Sequence, residues 1–532
     1  MVLPKPLAPS TTKCPPCSTI KAVDSASLSW FSLKLGYGKY SSTLSISLEL
    51  LTKANPYTHN TGVKKLDNLE FKCLQLLQLE GSILSSLRAA LNVLKDELIE
   101  FHKPLSEKYE IPSVMKEYDG KNPILFKNSK EHNTPIIAGI CGKREFFKRF
   151  LSCQSDEELY VKINAAVNNP LKTDKQDDAP VKEVFEKPDL TKFPILTHYE
   201  RDAGPYITSA VVISRSLTKG FQNASIHRLL VIGKDRLAIR VVPRHLYALY
   251  NEAKKLRKPL PVAIAIGLHP LILLAASSGP RFGVDELTVA NALLNGALKV
   301  TSCENIGVYV PAEAEVVFEG YMLHDVEVDE GPFVDITGTY DVIRKQPVIE
   351  LINVMRRKDF IYQALLPAGS EHQLLMGLPK EARIWDHVSK VVSKVVKVRL
   401  TPGGCGWLHA AISIAKQSEG DGKNAILAAF AAHPSLKHVV VVDEDIDVDN
   451  IEEVEWAIAT RFQGEEDLVI VKGCRGSSLD PSADQERLLT SKVGFDATKP
   501  LNKPAEKFKR ALIPCKYDAK SGDVVYYVSD EG

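Results

Sequence analysis

Cysteine is scarce for a chain of this length, with nine residues in 532, at positions 14, 17, 73, 141, 153, 303, 405, 474 and 515. An odd, scattered set excludes a disulfide framework and points to a reducing, cytoplasmic setting. A long hydrophobic run is also lacking. The most apolar stretch, Pro261 to Ala276, is interrupted by Gly267, His269 and Pro270 before it reaches the roughly 20 residues that a membrane helix needs. It reads as a buried strand passing into a buried helix, and no membrane span is expected. Charge of one sign is missing too. Lys plus Arg total 67 against 66 Asp plus Glu, a net charge of +1, which excludes a basic nucleic-acid binder and an acidic disordered chain. The first 50 residues contain no Arg and only Asp24 and Glu49 as acids, but they have no clear apolar core with a cleavage site. Neither a transit nor a signal peptide is supported. No repeat of fixed period is present.

What is there is ordinary globular composition, 44% hydrophobic and 25% charged. At about 150 residues per domain, the length implies three or four packing units. The first coherent amphipathic stripe is Leu84, Leu87, Leu91, Leu94, Leu98 and Phe101, whose spacing predicts a helix, so folded structure is expected from about Ser82. Residues 1–81 are an extension of uncertain order. The next methionine after Met1 is Met115, and a non-Met start codon in that interval would leave these residues outside the mature protein, a hypothesis that intact mass settles. Ile124–Phe126 and Ile136–Ile140 predict strands, Phe146–Leu151 a helix, and the polar segment Asn168–Asp189 a linker. A block of short β-branched strands follows: Ile207–Ser214, Leu229–Val231, Leu237–Val242, Val308–Val310, Glu315–Glu319 and Val348–Met355. Helices are inserted near 246–257 and 285–298. From Trp385 the pattern alternates: a helix to Val392, a strand Val395–Leu400, a helix after Gly406, a strand Val439–Val442, a helix 451–461 and a strand Leu468–Val471. That rhythm predicts βαβ units, and a last helix is expected within Lys499–Asp518.

Three features of the strand-rich block carry chemistry. Asn223-Ala224-Ser225-Ile226-His227-Arg228 places an amide, a hydroxyl, an imidazole and a guanidinium within six residues. In a regular strand Asn223 and Arg228 point apart, so a shared site requires a local bend. Arg244-His245 follows a strand and opens a helix, and Asp285-Glu286 opens the next. Asn, His and Glu offer the oxygen and nitrogen donors suited to Mn2+ or Mg2+, although a helix-start His is more often a cap and an Asp-Glu pair a solvated first turn. The most unusual stretch is Glu330-Gly331-Pro332-Phe333-Val334-Asp335-Ile336-Thr337-Gly338-Thr339-Tyr340. A tight turn across Gly-Pro aims both acids at one pocket, where an arginine between them holds one ionised. The alternative is an acidic hairpin in solvent, since Asp325, Glu327 and Asp329 precede it.

Taken together, Asn223, Arg228, His245, Glu286, Glu330 and Asp335, at intervals of 5, 17, 41, 44 and 5 residues, resemble the ordered functional set of the UbiD-type decarboxylases, which use prenylated FMN. The resemblance covers roughly residues 85 to 500 and extends to Gly204-Pro205-Tyr206-Ile207-Thr208, Val439–Asp447 and Trp456–Arg461. It implies an N-terminal α/β domain over 82–189, a central split β-barrel flavin- and metal-binding domain over 190–365, a C-terminal α/β domain over 366–500 and a tail over 501–532. It further implies that Asn223, His245 and Glu286 bind Mn2+, which holds the cofactor phosphate. K+ is expected near the carbonyls of Ala276 and Ser277. Asn223, Ala224, Ser225, Ile226, His227, Arg228, Arg244, His245 and Glu286 are implied as cofactor contacts, and Arg228, Glu330 and Asp335 as the catalytic network. Asp335 is the expected proton donor, with Glu330 tuning Arg228. Many relatives carry Glu at the donor position, so Asp335 is one methylene shorter, which leaves substrate geometry open. The implied reaction is non-oxidative decarboxylation of an α,β-unsaturated or aromatic acid by a homo-oligomer supplied with its cofactor by a flavin prenyltransferase. The wording of the 331–340 segment and Arg475-Gly-Ser-Ser-Leu-Asp-Pro resembles the archaeal branch, implying anhydromevalonate phosphate as substrate and isopentenyl phosphate as product in the archaeal mevalonate pathway. A 4-hydroxy-3-polyprenylbenzoate of quinone synthesis is the alternative.

Other readings stay open. Thr401-Pro-Gly-Gly-Cys-Gly-Trp407 is either a phosphate cradle or a tight turn, and lacks the full glycine register and the Lys-Ser/Thr ending of nucleotide loops. Cys14-Pro-Pro-Cys17 has redox spacing without a βαβ context. His433 either reaches the flavin or packs at a domain boundary. A non-catalytic flavin-binding homologue and a metal-dependent hydrolase built on Asn223, His245 and Glu286 complete the alternatives.

Overall fold

A computed structural model describes residues 85–511, 513–518 and 523–526. The 1–81 extension, its Cys14–Cys17 motif and the alternative start lie outside the described residues, as does Leu84. The central architecture is an antiparallel sheet of nine strands. Its spine is the 15-residue strand Val316–Glu330 paired with the 13-residue strand Arg344–Arg356. Both are far longer than the expected 315–319 and 348–355 segments. Their register shifts between Glu319 and Gly320 and again between Met322 and Glu327. Such bulges bend and twist a sheet, and this one curls into a half-barrel. At Gly320 the neighbouring strand comes so close that a Cβ would lie 2.4 Å from the Glu350 carbonyl oxygen.

Inside the curl, Leu237, Ile239, Val262, Ile264, Phe318, Ile349 and Leu351 form one apolar core. Outside it, the buried helices Pro270–Ser278 and Glu286–Leu293 form another with the helix Asp156–Asn168. The strand Leu260–Ile266 and the helix Pro270–Ser278 match the expected strand-to-helix reading of the most apolar stretch. Being covered on both sides, this segment has no polar face to alternate. Among the described residues no helix is long and apolar enough to cross a membrane.

The flanking units are α/β. Strands Ile99–Phe101, Ile124–Phe126 and Ile136–Ala138 form a four-stranded sheet completed by Tyr362–Gln363, which returns from the far end of the central segment. The helix Ser370–Val388 then leads to a five-stranded sheet in the order Val395–Leu400, His409–Ile414, His438–Asp443, Leu489–Ala497, Leu468–Arg475. Its three middle strands run parallel, with the helices Asp421–Ala432 and Ile451–Arg461 in the crossovers.

Several local expectations are corrected. The 84–101 stripe is not one helix: the described part is the helix Leu87–Val93 followed by the strand Ile99–Phe101, because pairing with Ile124–Phe126 captures the second half. Residues 168–189 are not a free linker. Asp174–Lys175 joins Lys299–Val300, Val184–Glu186 joins Val354–Arg356, and Val181 is fully buried. The segment after Gly406 is a strand, His409–Ile414, and the helix waits until Asp421, since Ala410–Ile414 lie at the centre of a sheet. The helix ending near Val392 is the tail of Ser370–Val388. Among the described residues of 499–518 only a 3-10 turn, Ala505–Phe508, and the strand Cys515–Asp518 form.

Gly267 sits between that buried strand and helix with φ +76°, where a Cβ would lie 2.4 Å from the Glu315 side chain. Glu315 cannot retreat, because it forks onto Arg88 at 2.9 and 3.0 Å and accepts from the Ile361 amide at 3.0 Å. Gly267→Ala is therefore expected to destabilise the fold by about 2 kcal/mol or more. Equilibrium urea unfolding checks this, and an unchanged midpoint would contradict it.

Candidate active site

The strand Gln222–Ile226 ends just before His227, and the chain bends through His227-Arg228 before Leu229–Val231 begins. This is the bend that a site shared by Asn223 and Arg228 requires. Two clusters result, one at each end of the hexapeptide.

At the first, Asn223 Nδ2 donates to Glu286 Oε1 at 2.9 Å and the Ala224 amide donates to Glu286 Oε2 at 2.7 Å. His245 Nδ1 lies 3.4 Å from Glu286 Oε1. Asp285 caps its helix by accepting from the Leu287 amide, which places Glu286 in the first turn. Arg244 is the N-cap residue of His245–Leu256, which fixes His245 at the opposite helix start. The three expected metal ligands are thus brought together.

The set fits a divalent cation. Glu286 is 2% exposed and among the described residues meets no Lys or Arg, so its carboxylate charge is buried there without a Lys or Arg partner. His227 Nδ1 lies 2.8 Å from the Arg240 carbonyl, which only accepts, so Nδ1 carries the ring proton and Nε2 accepts. The Ser225 hydroxyl, 2.9 Å from His227 Nε2, gives its single proton there. Asn223 Oδ1, 3.3 Å from the same hydroxyl, is left as an uncommitted acceptor. Burial holds His227 neutral, down to about 4. Among the described residues no three His, Cys, Asp or Glu side chains gather as a metal cage, so a cation held here by Glu286 and His245 would need Asn223 Oδ1 as its third side-chain donor. Ile226 is half-buried and its side chain packs against the apolar core beneath the strand.

The second cluster surrounds Arg228. Its Nε and Nη2 donate to the two oxygens of Glu330 at 2.8 and 2.9 Å, Nη1 donates to Asp335 Oδ2 at 2.9 Å, and Nη2 also reaches Asp341 Oδ2 at 3.0 Å. Phe333 lies under the guanidinium, 4.9 Å from its carbon to the ring centre. Burial alone would lower Arg228, but Glu330, Asp335 and Asp341 outweigh it and raise it above its ordinary value. The turn works as anticipated: Gly331 takes φ +97° and Pro332 follows, so both acids face inward. Asp325, Glu327 and Asp329 stay in solvent, which corrects the acidic-hairpin alternative.

The two acids are not equivalent. Glu330 is fully buried, forked onto Arg228 and bonded by the Tyr206 hydroxyl at 3.1 Å. The Asp335 side chain is 18% exposed and has one oxygen on Arg228 and the other on the Ile336 amide at 2.7 Å.

The sequence reading missed Tyr206, Arg240, Asp341, Arg344 and His372. Asp341 bonds Arg228, Arg344 and, at 3.4 Å, Arg240, and these cations hold its carboxyl below the usual range although burial pushes it up. His372 accepts from the Ala368 amide at 3.1 Å and senses the charges of Asp335 and Arg228; burial lowers it while Asp335 opposes the shift. Only Tyr206 lay in a segment that had drawn attention. The others lack any local pattern, and His372 comes from the helix Ser370–Val388, more than thirty residues after Asp335.

Of the remaining expectations, Thr401–Trp407 is a tight turn, with Cys405 and Gly406 both at φ +60°. His433 is a packed residue, edge-on to Trp407 at 4.3 Å with Nε2 3.0 Å from its carbonyl.

Three family models match the chain: the N-terminal, Rift-related and C-terminal domains of 3-octaprenyl-4-hydroxybenzoate carboxy-lyase, at residues 94–167, 172–370 and 373–497. The anhydromevalonate phosphate decarboxylase of Methanothermobacter thermautotrophicus is 48% identical over 431 residues, covering 80% of this chain and 99% of that protein. The UbiD-class enzyme HmfF from Pelotomaculum thermopropionicum, solved in complex with FMN, aligns with a TM-score of 0.78 at 44% identity over 81% of this chain and 97% of the other. An evolved dimeric form of it, solved with prFMN, aligns with a TM-score of 0.75 at 42% identity over the same shares. With matched segments spanning most of its length and a 48% identical relative covered almost in full, the chain belongs to the UbiD carboxy-lyase family.

Proposed function

We propose that this chain is a decarboxylase that uses prenylated FMN and converts anhydromevalonate phosphate to isopentenyl phosphate and CO2, a step of the archaeal type of mevalonate pathway. The observation that carries the reaction class is Arg228 shared between a locked Glu330 and a partly accessible Asp335. The substrate rests on the 48% identity to the archaeal decarboxylase over almost its full length. The FMN and prFMN complexes of the HmfF structures support the cofactor, and the dimeric form supports assembly of identical subunits. A cytoplasmic setting and supply of the cofactor by a flavin prenyltransferase complete the reading.

Asn223 Oδ1, the His245 imidazole and the Glu286 carboxylate would hold Mn2+ against the cofactor phosphate, because a cation between two anions cancels their repulsion. K+ would sit near the carbonyls of Ala276 and Ser277, and the 223–228 segment with Arg244 would line the flavin. When bound, prenylated FMN supplies the electron sink that accepts the pair released as CO2 leaves.

The chain's own residues do the rest. Arg228, Arg240 and Arg344 face Glu330, Asp335 and Asp341, so the set is neutral with every acid ionised. A proton on Asp335 leaves one positive charge in surplus, which favours an anionic acid beside Arg228. Asp335 then gives that proton to the carbon that lost its carboxyl group, and its new negative charge remains paired with Arg228 Nη1. Because part of its side chain reaches solvent, Asp335 can be reprotonated for the next turnover. Glu330 has both oxygens committed, so it orients Arg228 and does not donate.

Asp335→Asn is expected to lower CO2 release from the phosphorylated acid by at least about 100-fold while flavin stays bound; protein made together with a flavin prenyltransferase is the material. Wild-type protein that retains flavin but turns over neither this acid nor a polyprenyl hydroxybenzoate would contradict the enzyme reading. Turnover of the aromatic acid alone would replace the substrate. Glu286→Gln is expected to weaken Mn2+ binding by at least about tenfold and to reduce flavin retention, read by elemental analysis and visible absorbance. Unchanged metal and flavin content would contradict the metal assignment, and activity with Mn2+ but without flavin would instead support a hydrolase.

A further inference from the structure

The strand Gln222–Ile226 has a second face. Gln222 stands opposite Arg215 of the strand Val211–Arg215, and Asn223 stands opposite Ser214. Side chains alternate along a strand and cross-strand partners share a face, so Gln222 and Arg215 point away from Asn223 and its cluster. The Gln222 amide is committed on this outer face: Oε1 accepts from the Tyr309 amide at 2.7 Å, and Nε2 donates to the Tyr309 carbonyl at 3.3 Å and to Asp285 Oδ2 at 3.2 Å. Beside them lies a cavity of about 240 Å³, between the two strands, the start of the helix Glu286–Leu293 and the small sheet that Asp174–Lys175 joins. That is room for about eight waters.

The walls divide by polarity. Phe221, Leu287 and Val300 supply apolar surface, whereas Lys175 and Arg215 are exposed and stand at the mouth. Lys175 Nζ donates to the Tyr309 hydroxyl at 2.8 Å and lies 4.3 Å from the centre of that ring. Arg215 Nε and Nη1 donate to the carbonyls of Gly220 and Gly307 at 2.9 and 3.2 Å, which fixes the guanidinium and leaves Nη2 without an acceptor among the described residues. Among those residues no carboxylate is within ion-pair distance of either cation, because the neighbouring Asp174 is taken by Lys299 at 2.7 Å. Two held cations beside an apolar wall suit a ligand with one anionic head and a short apolar body. Asp285, in the wall with one oxygen on the Leu287 amide and the other on Gln222, repels an anion from the inner end. The head therefore belongs at the mouth and the body against Leu287 and Val300.

We propose that this cavity is a second binding site, for a short-chain alkyl or alkenyl monophosphate, and that its occupation feeds back on the cluster of Asn223, His245 and Glu286. The prenyl body rests on the phosphorylated-acid reading above, whose product belongs to this class; the cationic mouth does not. The coupling is built into the chain. Gln222 precedes Asn223 and Asp285 precedes Glu286, so the Gln222–Asp285 contact and the Asn223–Glu286 contact are two faces of one strand-to-helix junction. A ligand that displaces the first displaces the second, and the coupling is reciprocal. Free phosphate would suit the same cations, so the test separates the two sources.

The experiment titrates the Mn2+- and flavin-loaded full chain by calorimetry with isopentenyl phosphate and, separately, with inorganic phosphate, as wild type, Arg215→Met and Lys175→Met. The wild type is expected to bind two equivalents of isopentenyl phosphate, one as product in the active site and one here. Each variant is expected to weaken one of the two by at least about tenfold, the loss of one charge-assisted contact, and to leave kcat/KM for the acid unchanged. In initial-rate measurements isopentenyl phosphate is expected to lower kcat as well as raise KM in the wild type, and Arg215→Met is expected to keep only the rise in KM. Unchanged binding in both variants would overturn the proposal, and unchanged kcat inhibition in Arg215→Met would overturn the feedback. Inorganic phosphate bound as tightly as isopentenyl phosphate would overturn the prenyl class. Should Arg215→Met fail to fold, Lys175→Met, at an exposed position, carries the same readouts. A wild type that does not turn over the phosphorylated acid would lose the active-site equivalent and keep the one that these variants weaken, so the two readings fail separately.

Discussion

The site is organised by one guanidinium. Arg228 is buried and bonded to three carboxylates drawn from Glu330, Asp335 and Asp341. Leaving a buried charge without its partner costs about 3–5 kcal/mol, so none of these side chains is free to turn away. The consequence is positional. The bend at His227-Arg228, the turn at Gly331-Pro332 and the end of the long strand Val316–Glu330 are held against each other by ionic contacts and not by apolar packing alone.

One hexapeptide, 223–228, contributes to both clusters. Asn223 and Ala224 engage Glu286, while Arg228, five residues on, engages the acids. The bend between them separates a carboxylate-amide cluster at one end of the hexapeptide from an arginine-carboxylate cluster at the other. The curled sheet beneath is apolar on both sides over much of its length, which gives these polar groups a rigid base. A difference in exposure separates acids of nearly the same chemistry: Glu330 is fully enclosed and forked onto the arginine, whereas Asp335 is reached by solvent, and the proposed division of labour rests on that difference.

How much of this was legible depended on range along the chain. The helix starts at His245 and Glu286 were readable because caps and first turns leave local marks, and the Glu330–Asp335 turn because Gly-Pro forces one. Strand lengths were not. Val316–Glu330 extends well past its apolar part, since pairing with Arg344–Arg356 sustains exposed residues such as Asp325 and Glu327 that no hydrophobic pattern would include. The stretch 168–189 reads as a linker because its strands are only two and three residues long and depend on partners more than a hundred residues away. His372 was invisible for the same reason: it is an ordinary residue on an amphipathic helix until the fold brings it near Asp335 and Arg228.

The most direct measurement is a crystal structure of the Mn2+- and FMN-loaded protein with an anomalous map at the manganese edge. The account expects one strong peak ligated by Asn223 Oδ1, His245 and Glu286, next to the flavin phosphate, with Glu330 and Asp335 facing the ring through Arg228. A peak elsewhere, or a flavin seated away from Arg228, would contradict it.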